Sequence, residues 1–225
     1  ELRDTEHFFI DLPAIANDGL QTWLHDGKEY WRPQVINFAR NFVDQGLIGR
    51  AVTRDMDWGI PVPVEGYEHK VLYVWFEAVI GYLSAAIEWA NNNGDPEAWK
   101  KWWQNPKART VYFIGKDNIP FHTIFWPAQL FGAKGLYNED PEAQLNLPYD
   151  VPANEFMNME GQRISGSRNW GVWMLEALER HDPDPLRYYL TAVMPESRDS
   201  DFTWQGYVER NNNELVNNWG NLVNR

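Results

Sequence analysis

The sequence predicts an α/β fold built around a parallel sheet. An apolar strand candidate at residues 70–75 runs into a helix over residues 78–90, and a second strand candidate at residues 110–114 runs into a helix that ends near Gly132. A strand followed by a helix, twice in succession, is typical of parallel sheets because the helix returns the chain to the start of the next strand.

Shorter elements are predicted before these two units. The clearest is a helix after Pro33, where apolar residues keep the helical period until Gly46 ends it. Its apolar stripe consists of Val35, Phe38, Ala39, Phe42 and Val43. The other predictions here are a strand at 7–10, a helix at 15–24, a polar turn at 53–59 and an extended segment at 60–63.

The pattern changes near residue 165, which marks a candidate domain boundary. Residues 146–164 contain short strand candidates interrupted by Pro and Asn, whereas helical spacing dominates from Gly171 onward. The predicted helices of this part cover residues 172–180, 186–193 and 208–225.

Composition indicates a folded domain and excludes several classes of protein. The chain has 225 residues, a formal charge of −12, 13 tryptophans and no cysteine, which excludes a disulfide scaffold and a thiolate zinc site within it. The excess of acid offers no general attraction for nucleic acid, and the five histidines are too scattered in sequence to suggest a metal site. The longest apolar stretch, residues 71–87, contains Glu77 and is too short to span a bilayer comfortably, so no membrane association is expected.

The turn at residues 115–120 is a candidate ligand-facing junction, because helix N-termini at the carboxyl ends of parallel strands offer unpaired N–H groups. Gly115 permits a tight turn, Asp117 is a candidate N-cap, and Pro120 suits a first helical turn. One helical face then carries, four residues apart, Asn118, His122 and Trp126, and the neighbouring face carries Asp117, Phe121 and Phe125 at the same spacing. These residues form either a pocket wall with a polar group or a capped helix packed into a core. Spacing alone favours the core.

Two further segments leave similar alternatives open. Ala78 and Gly81 lie between Trp75 and Tyr82, which fits a slot for a thin apolar ligand or, more often, close packing of a helix on a strand. Residues 161–168 form a Gly/Ser loop with two arginines, which fits a phosphate-binding loop or a solvated linker equally well.

Taken together and in order, these segments resemble the methionyl-tRNA synthetases, a family of class I aminoacyl-tRNA synthetases. The matching segments are EHFF at 6–9, RDMDWGIPVP at 54–63, YVWFEAVIGY at 73–82, FIGKDN at 113–118, FH at 121–122, WPA at 126–128 and DPLRYYL at 184–190. Residues 163–168 stand where the family has its KMSKS loop. The resemblance covers nearly the whole chain, and a nucleotidyltransferase of related fold would lack this ordered set.

The resemblance implies that the parent enzyme activates L-methionine with ATP and Mg²⁺ and transfers it to methionine tRNA. It implies a methionine pocket formed by Trp75, Ala78, Tyr82, Phe121 and His122. It places Gly115, Asp117 and Arg54 on the ATP and adenylate side. It implies that the loop over the ATP phosphates acts in catalysis through Arg163, Ser165, Ser167 and Arg168.

The resemblance also implies a domain organisation, the second half of a class I Rossmann-type sheet followed by a stem-contact region and the start of a helical bundle. Residues 1–62 would return from a connective insertion and 63–150 would complete the nucleotide-binding fold. Residues 151–207 would hold the KMSKS-like loop and the stem-contact region, and 208–225 would begin the anticodon-binding bundle.

Two departures from the family pattern bear on activity. No His-x-Gly-His element is present, so we expect half of the ATP site and any zinc module to lie outside this chain, and the chain alone to be inactive. Gly166 stands where the family has a second lysine. The alternative is a non-catalytic, synthetase-like protein that senses methionine or binds tRNA. A cytoplasmic location is expected for either.

Overall fold

Helices and short strands alternate along the chain in the computed structural model, which describes residues 4–225. The chain divides into two units between Ala153 and Asn154. This division lies three residues beyond the predicted boundary at 150/151, whereas the change of pattern near residue 165 falls inside the second unit.

Helices dominate the first unit. Its α-helices are α1 (Leu12–Ile15), α2 (Gln21–His25), α3 (Pro33–Asp44), α4 (Val74–Glu77), α5 (Gly81–Asn92), α6 (Lys100–Trp103) and α7 (Trp126–Gly132). Single turns of other helix types join some of them: π at Ala16–Leu20 and Phe121–Phe125, and 3₁₀ at Ala78–Ile80 and Lys116–Asn118.

The first predicted helix is present but broken. Gly19 has φ of 146°, which lies outside the helical region and separates α1 from α2. A Cβ atom at this position would lie 2.9 Å from the Phe131 ring, so a glycine lets the chain bend against α7. A continuous helix over residues 15–24 was therefore the wrong prediction.

Helix α3 confirms the strongest helical pattern of the sequence, with Pro33 at its first turn and Gly46, at φ of 92°, just beyond its end. Its buried residues are Val35, Ile36, Ala39 and Val43. Phe38, predicted in the apolar stripe, is 40% exposed and stacks on Phe42 instead.

Short strands form three pairs in or bordering the first unit. They are β1 (Phe9–Ile10), β2 (Arg50–Ala51), β3 (Thr53–Arg54), β4 (Val71–Leu72), β5 (Ile114–Gly115) and β6 (Ala153–Asn154). Strands β1 and β2 pair antiparallel, as do β3 and β4. The polar segment at 53–59 thus begins with a strand rather than a turn, and the helix predicted from residue 78 already begins at Val74.

Parallel pairing occurs where the second strand–helix unit predicts it. Val111 bridges Asp150 in parallel, and the N–H groups of Tyr112 and Ile114 donate to the carbonyls of Asp150 and Pro152. Phe113, between them, is 78% exposed. This ladder places the turn after β5 at the carboxyl end of a parallel strand.

The core of the first unit contains four buried tryptophans among the described residues, and the two most buried are Trp31 and Trp126, each 2% exposed. Trp31 Nε1 donates to the carbonyl of Tyr149 at 2.8 Å, and Trp126 Nε1 donates to the hydroxyl of Tyr112 at 2.9 Å. Both rings are buried without leaving their N–H groups unsatisfied.

The second unit contains a three-stranded sheet and four α-helices, the last two of which are joined by a π segment into one long helix. The strands are β7 (Met157–Met159), β8 (Gln162–Arg163) and β9 (Ser200–Phe202). The α-helices are α8 (Met174–Leu178), α9 (Pro183–Ala192) and a long C-terminal helix comprising α10 (Trp204–Arg210), a π segment (Asn211–Gly220) and α11 (Asn221–Asn224). Central strand β7 pairs antiparallel with β8 and parallel with β9. The sequence patterns missed β9, and the last helix begins at Trp204, four residues before its prediction.

Candidate functional site

His122 lies in the helical turn that follows β5, and its ring is 5% exposed. Its Nδ1 lies 3.0 Å from the carbonyl oxygen of Asn118, and its Nε2 lies 2.8 Å from the hydroxyl of Tyr82. Because a carbonyl only accepts, Nδ1 carries the proton and Nε2 accepts from Tyr82. Burial lowers the pKa of His122, so the imidazole is neutral at neutral pH.

Tyr82 connects this histidine to a cluster of aromatic side chains. Its ring centroid lies 5.0 Å from that of Tyr112 and 6.4 Å from that of Trp126. Burial raises the pKa of both Tyr82 and Tyr112, so their hydroxyls stay protonated and able to donate. Tyr82 is nevertheless 43% exposed, so one side of this cluster faces solvent.

Trp75 and Phe121 form a second pair, with parallel-stacked rings whose centroids lie 5.1 Å apart. Phe121 in turn stacks on Phe125 at 5.6 Å. The three rings line a cavity of about 530 Å³, together with Phe9, Ile10, Phe42, Gly49, Arg50, Ala51, Val52, Arg54, Tyr73, Phe76 and Pro120.

The structure therefore brings the predicted methionine-pocket residues together in two pairs, Trp75 with Phe121 and Tyr82 with His122. Phe121 and His122 are neighbours in the chain, which sets the pairs side by side. Ala78 is exposed at the junction of α4 and the following 3₁₀ turn. It does not line the large cavity, and neither do Tyr82 and His122.

Three contacts hold the Arg54 side chain in place. Its NH1 donates to the carbonyls of Ala51 and Thr53 at 3.1 and 2.7 Å, and its guanidinium lies 3.8 Å from the centre of the Tyr73 ring. Arg54 lines both the 530 Å³ cavity and a neighbouring cavity of about 470 Å³. These contacts hold the positive charge of the Arg54 guanidinium in one position.

The turn after β5 differs in detail from its prediction. Asp117 does not cap the helix, because the N-cap positions are Gly115 and Pro120 and neither makes a side-chain cap. The exposed Asp117 accepts a hydrogen bond from Asn118 Nδ2 at 3.3 Å. Gly115 has an ordinary extended backbone, with φ of −83°. A Cβ atom there would meet only Asp117 Oδ1, at 2.9 Å, and this is the end of an exposed side chain, so the contact alone does not require a glycine.

The loop at residues 163–170 is closed into a hairpin. Ser165 and Trp170 exchange backbone hydrogen bonds of 2.8 and 2.9 Å, and Ser165 Oγ lies 3.2 Å from Ser167 Oγ. Arg168 NH2 donates to the carbonyl of Arg163, whose own guanidinium lies 5.1 Å from the centre of the Phe156 ring. The four predicted loop residues thus lie together on one ordered segment.

Two residues at these sites had no predicted role. They are Tyr112, which touches both Tyr82 and His122, and Tyr73, which stacks on Arg54. Tyr112 could have been found from strand alternation, since it lies between the exposed Val111 and Phe113.

Metal sites and membrane-spanning helices are two further classes of feature to consider. Within residues 4–225, no three His, Cys, Asp or Glu side chains are grouped so that they could hold a metal ion. Over the same residues, no helix combines the length and apolar character needed to cross a membrane.

Comparison with known proteins identifies the family. A family model described as "tRNA synthetases class I (M)" matches residues 1–225. The chain is 61% identical over 223 residues to a methionine–tRNA ligase of Thermomicrobium roseum and 53% identical over 233 residues to one of Chloroflexus aurantiacus. Both alignments include 99% of this chain. They span only 36% of the Thermomicrobium relative and 38% of the Chloroflexus relative.

Solved structures agree with this match. Mycobacterium tuberculosis methionyl-tRNA synthetase bound by methionyl-adenylate superposes with a TM-score of 0.77 at 26% identity, covering 99% of this chain and 40% of that one. The free form of that enzyme superposes with a TM-score of 0.69 at 27% identity, covering 94% of this chain and 37% of that one. With the family model matched along its whole length, the chain belongs to the class I tRNA synthetases (M).

Proposed function

We propose that this chain is the part of a methionine–tRNA ligase that carries the methionine pocket and the KMSKS-like loop. The parent enzyme activates L-methionine with ATP to methionyl-adenylate and transfers methionine to its tRNA. The observation that carries the proposal is the ordered set of motifs between residues 54 and 190, within a chain 61% identical to a methionine–tRNA ligase.

The chemistry of the aromatic pairs supports a pocket for methionine. A thioether side chain is apolar and polarizable, and it packs favourably against aromatic rings. Trp75 and Phe121 offer such rings, and the Tyr82–His122 pair adds polar groups that carry no net charge because the imidazole is neutral. A charged amino-acid side chain would find no counter-ion in these two pairs, which disfavours its binding.

The second set of proposed residues meets the anionic part of the substrates. Arg163 and Arg168 supply charge, and Ser165 and Ser167 supply hydroxyl donors, on one hairpin. These groups fit phosphate oxygens. Mg²⁺ is commonly bound through substrate phosphates and few protein ligands, so ATP would bring it with its phosphates. We assign Arg54, Gly115 and Asp117 to the ATP and adenylate side of the first unit.

We further propose that the 225-residue chain does not form methionyl-adenylate alone, because the HIGH-type half of the ATP site has no counterpart in its sequence. Its coverage of 36% of the Thermomicrobium relative supports this view. Because tRNA charging serves protein synthesis, we propose a cytoplasmic location.

Two measurements test the proposal. Isothermal titration of the chain with L-methionine should give saturable binding that L-lysine does not reproduce, and His122→Ala should weaken it. ATP–pyrophosphate exchange should be absent with this chain and present with a longer protein that also contains the HIGH-type half. Absence of methionine binding, or exchange by the 225-residue chain at the rate of the longer protein, would contradict it.

A non-catalytic relative is the second candidate, and one observation favours it. Gly166 leaves the loop without the lysine that would stabilise charge on the phosphates. A longer protein that binds methionine or tRNA but shows no pyrophosphate exchange would establish this alternative.

A further inference from the structure

We infer that Lys70 is a positioning residue that holds Arg54 in place for adenylate formation. The effect on catalysis rests on the proposed function, whereas the effect on the position of Arg54 does not. Lys70 directly precedes β4 and is 4% exposed. It acts through Asp55, the residue that follows Arg54 in the chain.

The buried ammonium group of Lys70 has two polar partners on different segments of the chain. Its Nζ donates to Asp55 Oδ1 at 2.5 Å and to Thr5 Oγ1 at 2.9 Å. The Thr5 hydroxyl in turn donates to Asp55 Oδ2 at 2.6 Å, which closes a triangle of hydrogen bonds. Because a buried charge is costly without such partners, the triangle ties Asp55 to the interior of the first unit.

The ion pair of this triangle persists at neutral pH. Hydrogen bonds from Lys70 and Thr5 lower the pKa of Asp55 to about 2, so its carboxylate is ionised. The Asp55 side chain is half exposed, whereas that of Lys70 is buried. The lysine is therefore the fixed member of the pair, and it sets the place of the carboxylate.

Thr53, the residue on the other side of Arg54, is anchored as well. Thr53 is buried, and its Oγ1 accepts from the N–H of Phe8 at 3.2 Å and lies 3.0 Å from His7 Nδ1. Successive side chains of an extended chain point to opposite faces, so Thr53 and Asp55 share the face opposite to Arg54. Arg54 thus lies between two residues that are both held from behind.

Arg54 depends on this anchoring because each of its own contacts lies on or beside β3. Its NH1 donates to the carbonyls of Ala51 and Thr53, and its guanidinium packs on the Tyr73 ring. Tyr73 directly follows β4, so the pairing of β3 with β4 sets the distance from the guanidinium to the ring. Loss of the Lys70 ion pair frees β3 to shift, which moves Arg54 off the ring.

Lys28 provides a matched control, because Lys28 and Lys70 are the two buried lysines within residues 4–225. Its Nζ donates to the carbonyl of Asp26 and lies 4.7 Å from the centre of the Trp23 ring. Neither partner lies on β3 or β4. Replacement of either lysine by Met removes a buried charge from the same unit, but only Lys70→Met should displace Arg54.

Arginine modification by phenylglyoxal tests the positioning in the 225-residue chain, with the rate at each site measured by peptide mass spectrometry. A guanidinium held by carbonyls and a ring is protected, so Lys70→Met should raise the rate at Arg54 about fivefold. Arg40 reports on general loosening of the same unit, because the carbonyls of Leu24 and His25 hold it. Its rate should not change.

Two further variants keep this test decisive even where Lys70→Met folds poorly. Thr5→Val removes one hydroxyl at an exposed position and leaves the lysine in place. It should raise the rate at Arg54 about twofold, because one side of the triangle is lost. Lys28→Met should leave the rate at Arg54 unchanged.

ATP–pyrophosphate exchange in the longer protein measures the consequence for catalysis. Arg54→Gln should slow exchange about 100-fold, the order of cost for removing one donor that stabilises developing charge. In a protein that already carries Lys70→Met, the same substitution should cost only about tenfold, because Arg54 is already displaced. Lys28→Met should leave the cost of Arg54→Gln unchanged.

Three results overturn the inference. A rate at Arg54 that changes in neither Lys70→Met nor Thr5→Val would show that the triangle does not hold Arg54. An equal rise at Arg40 would show general loosening. Costs of Lys70→Met and Arg54→Gln that simply multiply would show that the two residues act separately. A longer protein without any exchange would contradict the proposed function instead, and the modification rates would still decide what holds Arg54.

Discussion

The hydroxyl of Tyr82 donates to Nε2 of His122 over 2.8 Å, and this bond ties α5 to the turn that follows the parallel strand β5. The histidine is buried and its other nitrogen is already committed to the carbonyl of Asn118. Tyr82 is therefore the group that satisfies the second ring nitrogen.

Replacement of Tyr82 by Phe should lower the free energy of unfolding by about 1–3 kcal/mol, because a buried acceptor loses its partner. Urea denaturation of both proteins would measure it. Tyr137→Phe is the matched control, since Tyr137 is also partly exposed and its hydroxyl makes no hydrogen bond within residues 4–225. Equal effects of the two substitutions would contradict the role given to the Tyr82 hydroxyl.

Stability should fall as the pH drops through the ordinary pKa of histidine, about 6.5. Burial lowers the pKa of folded His122, so the unfolded chain takes up this proton first and the folded state is penalised below that pH. The contribution of neutral His122 to the free energy of unfolding is complete above about pH 7. It is lost as the pH falls towards the lowered pKa, and the unfolding free energy then changes by at most about 1.4 kcal/mol per pH unit. Unfolding free energies of the wild type and His122→Gln at pH 8 and pH 6 should show a smaller loss in the variant. An identical loss would exclude His122 as its source.

Replacement of Gly166 by Lys should accelerate adenylate formation by about tenfold in the longer protein, because an ammonium group would stabilise charge on the phosphates. The fold accommodates it, since a Cβ atom at Gly166 meets nothing within 4 Å and the residue does not have positive φ. Pyrophosphate exchange measures the rate. Gly166→Ala is the control that adds a side chain without charge. A rate equal to or below that of the wild type would count against the electrostatic role.

Replacement of Gly59 by Ala should destabilise the first unit by about 1–3 kcal/mol, the usual cost of a strained backbone. Gly59 has φ of 147°, and its Cβ atom would lie 2.9 Å from Cβ of Val71 on β4. Gly66→Ala separates the two causes, because Gly66 also has positive φ, 85°, but no atom within 4 Å. Thermal unfolding should show a clearly larger loss of stability for Gly59→Ala than for Gly66→Ala. Equal losses would mean that the contact with Val71 does not contribute to the destabilisation.

Strong apolar periodicity predicted the elements of this fold correctly where the local preferences of the residues agree with tertiary packing. Helix α3 has a proline at its start, a glycine beyond its end and an apolar stripe between them, and it lies where expected. Helix α4 was missed because residues 74–76 are apolar and suit a strand, yet the chain turns into a helix at Tyr73, directly after β4. Gly19 breaks the first helix for a reason that involves Phe131, a residue far away in sequence.

Site residues were predicted from motifs, whereas their contacts required the three-dimensional arrangement. The sequence contains Tyr82 and His122 forty residues apart and gives no sign that one bonds to the other. The N-cap assigned to Asp117 failed because Gly115 takes that position and the carboxylate turns outward. Tyr73 lies in a recognised motif, but only its contact with Arg54 in space gives it a role.

Because residues 163–170 form a closed hairpin, the rate at which trypsin cleaves this segment depends on how often the hairpin opens. Trypsin requires an extended backbone, but Arg163 lies in β8, and Arg168 lies within the turn that the paired Ser165 and Trp170 close. Cutting after Arg168 therefore requires these two residues to separate first. When opening is fast relative to cutting, the digestion rate at Arg168 measures the population of the open loop.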